Sequence, residues 1–271
     1  MMTSQRTVRV VRGGMAWCAR TSVVIPLFLL ITVAGGAGTS YAMEREWQRE
    51  FPLSPGSSVS VENVQGSIWV EAWDRAQVEA TVAMRSAAPT DRLDDVQVAV
   101  EAGHGSLAFH TLYPGDLKTP VRVDYHLRVP RQVRLEQLST LEGAIAVRDV
   151  EGLVNARSLH GDIEGINITG SVAARALTGN IRVSLRSLPD KARPLTLETV
   201  NGGVVLELPA RANADVELAT VAGHILGHYA FEASATPGDS TKHIQLGAGG
   251  VHIKLRTVRG DLRVVQRQEN L

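Results

Sequence analysis

His224 and His228, four residues apart in "GHILGHY", are the histidine pair whose spacing suggests a metal site. Zinc needs three or four convergent ligands. An i, i+4 pair shares a face only on a helix, and this segment reads as strand and loop, with no Asp, Glu or third His following at ligand spacing. Paired carboxylates could act as acid and base, but Asp94 and Asp95 sit in "TDRLDD", which reads as a solvated turn. There is no G-x-S-x-G, no P-loop and no G-x-G-x-x-G between a strand and a helix. "GHG" at Gly103 to Gly105 is too short to carry chemistry, and the "NIT" sequon at Asn167 reads as coincidence. No catalytic residue, metal site or cofactor is expected.

The charge balance excludes another class. The chain has 28 basic and 28 acidic side chains. Its first 42 residues read as a signal peptide: Arg20, the apolar run "VVIPLFLLITVA", then Ser40 and Ala42 at the positions a signal peptidase prefers. An uncleaved anchor would need ~20 apolar residues, and Gly35, Gly36 and Gly38 interrupt the run. Met15 could equally be the start, since "MAWCARTSVVIPL" is itself a short leader. Cleavage after Ala42 removes Arg6, Arg9, Arg12 and Arg20 and leaves 24 basic against 28 acidic residues. That excess of acid argues against a nucleic-acid partner. Cleavage also removes Cys18, the only cysteine, and with it any disulfide or thiol chemistry.

The elements that would position a site are set by a repeat. "LEGAIAVRD", "VEGLVNARS", "LHGDIEGIN", "ITGSVAARA" and "LTGNIRVSL" follow one another without a gap, so Gly143, Gly152, Gly161, Gly170 and Gly179 recur every nine residues. Aliphatic residues stand two before each glycine (Leu141, Val150, Leu159, Ile168, Leu177) and two after it (Ile145, Val154, Ile163, Val172, Ile181). Shared parity in an extended chain predicts one buried side. Nine is odd, so each unit needs a corner that resets the parity, with "RD", "RS" and "IN" as candidate corners and glycine able to take a tight bend. Regular strands and corners predict an all-β single-stranded β-solenoid, β-helix-like, whose coils stack because none can bury its face alone. "VQGSIWV", "GHGSLAF", "VNGGVVL", "VAGHILG" and "VRGDLRV" match the same signature at wider intervals. An antiparallel β-sandwich is the alternative, and accounts equally well for "REWQREF", "SVSVE", "QVEATVAMR", "DVQVAVE" and "VRVDYHLRV".

The domain reading is therefore a signal peptide at 1–42 and one β-solenoid domain at 43–271. Within it, 43–138 is less regular, 139–265 is the regular repeat and 266–271 is a polar tail. That tail and the region before Leu141 are candidates to cap the stack. A calcium ladder of the G-G-x-G-x-D kind needs a carboxylate in every turn. Only Asp162 follows a repeat glycine within the block.

The successive stretches "SPGSSVSVENVQGSIWVEAWDRAQVEATV", "VDYHLRVPRQVRLEQLSTLEGAIAVRDVEGLVNARSLHGDI" and "ETVNGGVVLELPARANADVELATVAGHI" resemble the bacterial putative adhesin family, also called DUF4097, over Phe51 to Val265. The resemblance implies a β-helix-like fold in an exported bacterial protein and no catalytic residues.

With two units to a coil, alternate units stack, and one outward face would carry His160, Asp162, Glu164, Asn180 and Arg182, with Glu164 and Arg182 one coil apart. These are the candidate recognition residues. The expected function is non-enzymatic, structural or adhesin-like binding in the cell envelope (periplasm, cell surface or secreted). Its partners would be a cell-surface glycan, an envelope protein or a second copy. The alternative is a polysaccharide-lyase-like enzyme, which would need acids and bases clustered in one groove. Contacts at i, i+18 would distinguish the two-unit coil from a three-unit coil at i, i+27 and from hairpins.

Overall fold

A computed structural model describes residues 8–10, 43–86, 93–113, 121–188, 194–227, 232–233 and 241–267. These form strands β1 (Val8–Val10), β2 (Met43–Pro52), β3 (Ser58–Glu62), β4 (Ile68–Trp73), β5 (Gln77–Ser86), β6 (Gln97–Gly103), β7 (Ser106–Leu112) and β8 (Arg122–Pro130). There follow β9 (Arg134–Glu142), β10 (Ile145–Arg148), β11 (Val154–His160), β12 (Ile163–Thr169), β13 (Val172–Thr178), β14 (Ile181–Ser187), β15 (Leu195–Asn201) and β16 (Val204–Leu208). The last are β17 (Ala214–Ala222), β18 (Ile225–Gly227), β19 (Glu232–Ala233), β20 (Thr241–Leu246), β21 (Val251–Arg259) and β22 (Leu262–Gln266). No helix occurs among the described residues.

The chain is all-β, with two large mixed sheets of twelve and ten strands. One apolar core draws on both, and Phe109 of one sheet meets Tyr125 of the other edge-on at 6.1 Å. Two sheets around one core satisfy the description of a sandwich as well as that of a coil stack.

Register separates the parts of the chain. From β9 to β16 odd and even strands alternate between the sheets, and every neighbour is parallel. Ile145 pairs with Ile163, Ile163 with Ile181, and Val154 with Val172, so each partner stands two repeat units further along the chain. The N-terminal part adds antiparallel pairs, β2 with β5, β5 with β8 and β6 with β7. The β6–β7 connection is a tight hairpin with Gly103 opposite Ser106, so "GHGSLAF" is a turn and not a repeat unit.

Turns of the chain fall at the repeat glycines; "RS" and "IN" lie inside β11 and β12, while "RD" marks the end of β10, ahead of the turn at Gly152. β11 ends at His160 in one sheet and β12 begins at Ile163 in the other, around Gly161. Gly161 has φ +153°, and a Cβ there would overlap the carbonyl of Gly143 in the preceding coil; Gly179 stands in the same relation to Gly161. Two residues named in the expected corners take positive φ, Asp149 at 59° just after β10 ends and Asn167 at 56° within β12. Asn favours this conformation, and there it resets the parity: Gly165 and Ile168 both point inward across Asn167. The amide of Asn167 donates to Asp149 at 3.1 Å, so the sequon side chain bonds to its stacked neighbour.

The nine-residue units are therefore not equivalent. Val150 and Ile168 are fully buried, as expected, whereas Leu141, Leu159 and Leu177 are 49, 40 and 41% exposed. At the glycine corner following these leucines the parity resets one residue early, so the small residue three before the glycine turns inward instead. Thr140, Ser158, Thr199, Thr257 and Thr220 occupy that position, and each hydroxyl donates at 2.9–3.1 Å to the corner glycine carbonyl of the adjacent coil. Ala176 and Asn63 are the members without a hydroxyl, and the Asn63 amide donates to the Val123 carbonyl at 2.8 Å. Leu141, Leu159 and Leu177 thus join Val64, Val200, Val258 and Val221 in an outward aliphatic ladder across seven adjacent strands or corners.

Stack order is not chain order at either end. β3 lies between β7 and β9, and β21 lies between β15 and β17. The C-terminal strand β22 is consequently interior, between β18 and β16. At the end of the twelve-stranded sheet beyond β17 lie β20, antiparallel to β17, and β19. β1, inside the segment read as leader, pairs antiparallel with β6. The rest of 1–42, His228 and 268–271 lie outside the described residues.

Candidate functional site

The five candidate residues do not share one flat face. His160 ends β11 in the twelve-stranded sheet, Asp162 and Asn180 lie at the glycine corners, and Glu164 and Arg182 stand on β12 and β14 of the ten-stranded sheet. Asp162 Oδ1 accepts the backbone N–H of Asn180 at 2.7 Å, and Asn180 Oδ1 accepts that of Gly203 at 2.9 Å. These two side chains lace successive corners together. His224 takes part in the same lacing, since its N–H donates to Asp261 at 2.8 Å and holds that carboxyl below the usual carboxylate range. Among the described residues no three His, Cys, Asp or Glu side chains converge as a metal site.

Glu164 and Arg182 belong to a longer outward row. Thr81, His126, Trp69, Ala146, Glu164 and Arg182 are successive cross-strand neighbours on β5, β8, β4, β10, β12 and β14. Glu164 and Arg182 are in register but bond elsewhere: Arg182 reaches Glu207 at 2.6 Å, and Glu164 lies 3.7 Å from Arg148. Two residues along each strand, Glu79, Arg128, Glu71 and Arg148 form a parallel row of alternating charge. Alternate residues of a strand face one way. The two rows therefore border the same surface, an open groove of about 520 Å³.

Trp69 dominates this groove. Its ring stacks on His126 with centroids 4.3 Å apart and planes 25° from parallel. Ala146 beside it leaves the floor low. Arg128 pairs with Glu79 at 2.7 Å and also lies over the ring of Trp73 at 5.2 Å. Burial, the largest influence, pushes the His126 imidazole below the ordinary histidine range; Asp124 opposes this and Arg85 adds to it. The imidazole is thus neutral at pH 7. A flat aromatic stack beside fixed ions of both signs suits a ligand with one apolar face and many hydroxyls.

Beside the groove, further along the same face of β5 and β8, sits an ionic hub around a buried carboxylate. Asp124 is almost fully enclosed and accepts from the Ser67 N–H at 2.8 Å, Arg85 Nη1 at 3.0 Å and Arg122 Nε at 3.0 Å. Thr111 bridges Asn63 and the phenol of Tyr125, whose pKa burial pushes up. These contacts fix β4, β5 and β8 relative to one another.

Sequence reasoning missed Trp69, His126 and Arg128. The available signal was an aromatic residue in an outward position of "IWVEAW", in a chain only 4% aromatic.

No protein-family model matches the chain, and no curated protein matches it. Among solved structures, it is similar to a putative cell adhesion protein from Clostridium sporogenes (10% identity, 82% of this chain and 100% of that one, TM-score 0.44). It is also similar to a putative adhesin from Bacteroides fragilis (10% identity, 82% and 97% covered, TM-score 0.40) and to a putative lipid binding protein from Parabacteroides distasonis (10% identity, 82% and 97% covered, TM-score 0.32). All three likenesses are loose.

Proposed function

We propose that this is a non-enzymatic binding protein of the bacterial cell envelope, of the DUF4097 adhesin-like kind, which holds a glycan in the groove beside Trp69. The observation that carries the reading is the Trp69–His126 stack bordered by alternating charges on an otherwise regular β surface. The fold belongs to the same reading: a β-solenoid with two repeat units per coil, supported by the constant two-unit offset between paired strands. Export follows from the leader, with cleavage after Ala42. Glu164 and Arg182 extend the surface, while Asp162 and Asn180 lie at the glycine corners and His160 lies on the other sheet.

Residues 43–271, screened against cell-wall glycans and titrated calorimetrically with any hit, should bind through this groove. Trp69→Ala should weaken binding at least ~10-fold while leaving the denaturation midpoint nearly unchanged, because loss of an aromatic anchor is typically worth ~2 kcal/mol. Binding untouched by that change would sink the groove assignment. N-terminal sequencing of the exported protein should begin at Met43.

One observation favours a second reading. Glu71, Glu79, His126, Arg128 and Arg148 do cluster in one groove, as a polysaccharide lyase would need. Both arginines are engaged with carboxylates, Arg128 with Glu79 and Arg148 with Glu164, which favours binding over proton abstraction. Release of unsaturated products from uronate polymers would establish the enzyme.

A further inference from the structure

The outward aliphatic ladder lies away from the groove, on the ridge where the twelve-stranded sheet ends at the glycine corners. It is continuous. Leu141 and Val64 are joined by a backbone bond of 3.1 Å, and the strands carrying Leu159, Leu177, Val200, Val258 and Val221 pair in register on either side of these positions. Six spacings of ~4.8 Å make the ladder ~29 Å long. Isolated exposed aliphatics are ordinary, but an unbroken file of them is not.

What covers it is indicated by the residues one position further on, which are also paired strand to strand: Glu142 with His160, His160 with Thr178, Thr178 with Asn201, and Asn201 with Arg259. Beyond Glu142 the flank ends in Gln65 and beyond Arg259 in Ala222, so it carries one acidic residue toward one end, one basic residue toward the other, and none of either sign between. Leu177 and Thr178 lie at its centre. A two-fold axis there sets Glu142 against Arg259 of the second copy, His160 against Asn201 of the second copy and Thr178 against its own equivalent. On the ladder it sets Leu177 on Leu177, Leu159 on Val200 and Leu141 on Val258. Two copies in the same direction would instead oppose Glu142 to Glu142 and Arg259 to Arg259.

We infer that the protein forms a two-fold symmetric dimer through this ridge, the partner being a second copy of the chain in antiparallel orientation. An isologous interface requires a self-complementary patch, and the ridge is one in both apolar matching and charge. A strip ~29 Å by ~15 Å offers roughly 430 Å² per partner. That is about half the ~800 Å² of a standard interface, so the dimer should be reversible. The inference is independent of the glycan reading, because the ridge and the groove share no residue.

Sedimentation velocity of residues 43–271 over the micromolar range should show a monomer–dimer equilibrium. Leu159→Asp should raise the dissociation constant by at least ~30-fold. Glu142→Arg and Arg259→Glu should each weaken the dimer ~10-fold. Combined, they should restore it to within ~3-fold of the parent, because the opposed charges are merely exchanged. All three sites are exposed, and an unchanged circular dichroism spectrum would show that the variants fold. A monomer at every concentration would overturn the inference, as would a dimer indifferent to Leu159→Asp or charge reversals whose effects simply add. Binding of the ladder to lipid vesicles by a protein that stays monomeric would overturn it in favour of an acyl-chain occupant.

Discussion

The part before Ser139 and the repeat after it bury their residues by different means. Between Ser139 and Gly227 there is no Phe, Trp or Tyr; the earlier part contains Trp47, Phe51, Trp69, Trp73, Phe109, Tyr113 and Tyr125. Parallel coils in constant register place like on like, and a column of like residues ~4.8 Å apart packs without voids when its members are Val, Ile, Leu, Ala or Gly. Aromatic rings need unlike neighbours, and the irregular part supplies them: Trp69 on β4 lies beside His126 on β8, which is itself antiparallel to β5. The repeat keeps a constant register, and the irregular part carries the Trp69 groove.

The comparison is broken most severely at a corner. Gly161→Ala would drive a Cβ into the carbonyl of Gly143 at a φ that L residues avoid, so at least ~3 kcal/mol should be lost. Gly165, four residues on in the same coil, is the control: a Cβ there would meet Ile168 and Val183 at ordinary contact distances of 3.4 and 3.6 Å. Gly165→Ala should change stability by less than ~1 kcal/mol. Urea unfolding of the pair measures the difference, and equal losses would refute the stacked-corner account.

In the irregular part the corresponding element is Asp124. Asp124→Ala would leave Arg85 and Arg122 without their shared carboxylate and the Ser67 N–H unpaired, at a cost of ~2–3 kcal/mol once the arginines' solvent access is allowed for. Hydrogen exchange should show the loss concentrated in β4, β5 and β8, with β11 to β16 still protected. Uniform loss of protection would mean that the two parts open as one unit.

Much of this contrast was legible in the sequence, because spacing carries register. Glycine every nine residues pointed to partners a whole number of units apart without saying how many, and the paired strands are offset by two units. Alignment on glycine hid the difference between alternate corners, since Leu159 and Ile168 look alike while one is outward and the other buried. The distinguishing signal lay one residue earlier: Thr140 and Ser158 precede outward leucines, and a hydroxyl at that point answers a glycine carbonyl. Stack order was not legible at all. A parallel edge accepts any strand of matching register, so local pattern does not reveal that β21 enters between β15 and β17.

The hydroxyl column offers a smaller test. Ser158→Ala should cost ~1 kcal/mol by leaving the Gly143 carbonyl without its donor. Ala176 faces the equivalent carbonyl of Gly161 with only a methyl group. Ala176→Ser should therefore gain ~0.5–1 kcal/mol, the reverse sign from the same chemistry. Destabilisation by Ala176→Ser would show that the column is too tightly packed to accept the added oxygen.

The weakest effect is on the irregular side and depends on pH. Burial lowers the folded pKa of His126 below that of the unfolded chain, so near neutrality both states carry a neutral ring and nothing is lost. As pH falls through the ordinary histidine value of ~6.5 the unfolded state takes up a proton first, and stability declines until the folded pKa is passed. His126→Gln should flatten that part of the stability curve, and the stack should gain a repulsive charge beside Arg85 only in the parent protein. The slope is shallow because the outer edge of the ring remains in water, which screens the cost. Were the variant to keep the full slope between pH 7 and 5, the dependence would not belong to the Trp69–His126 stack.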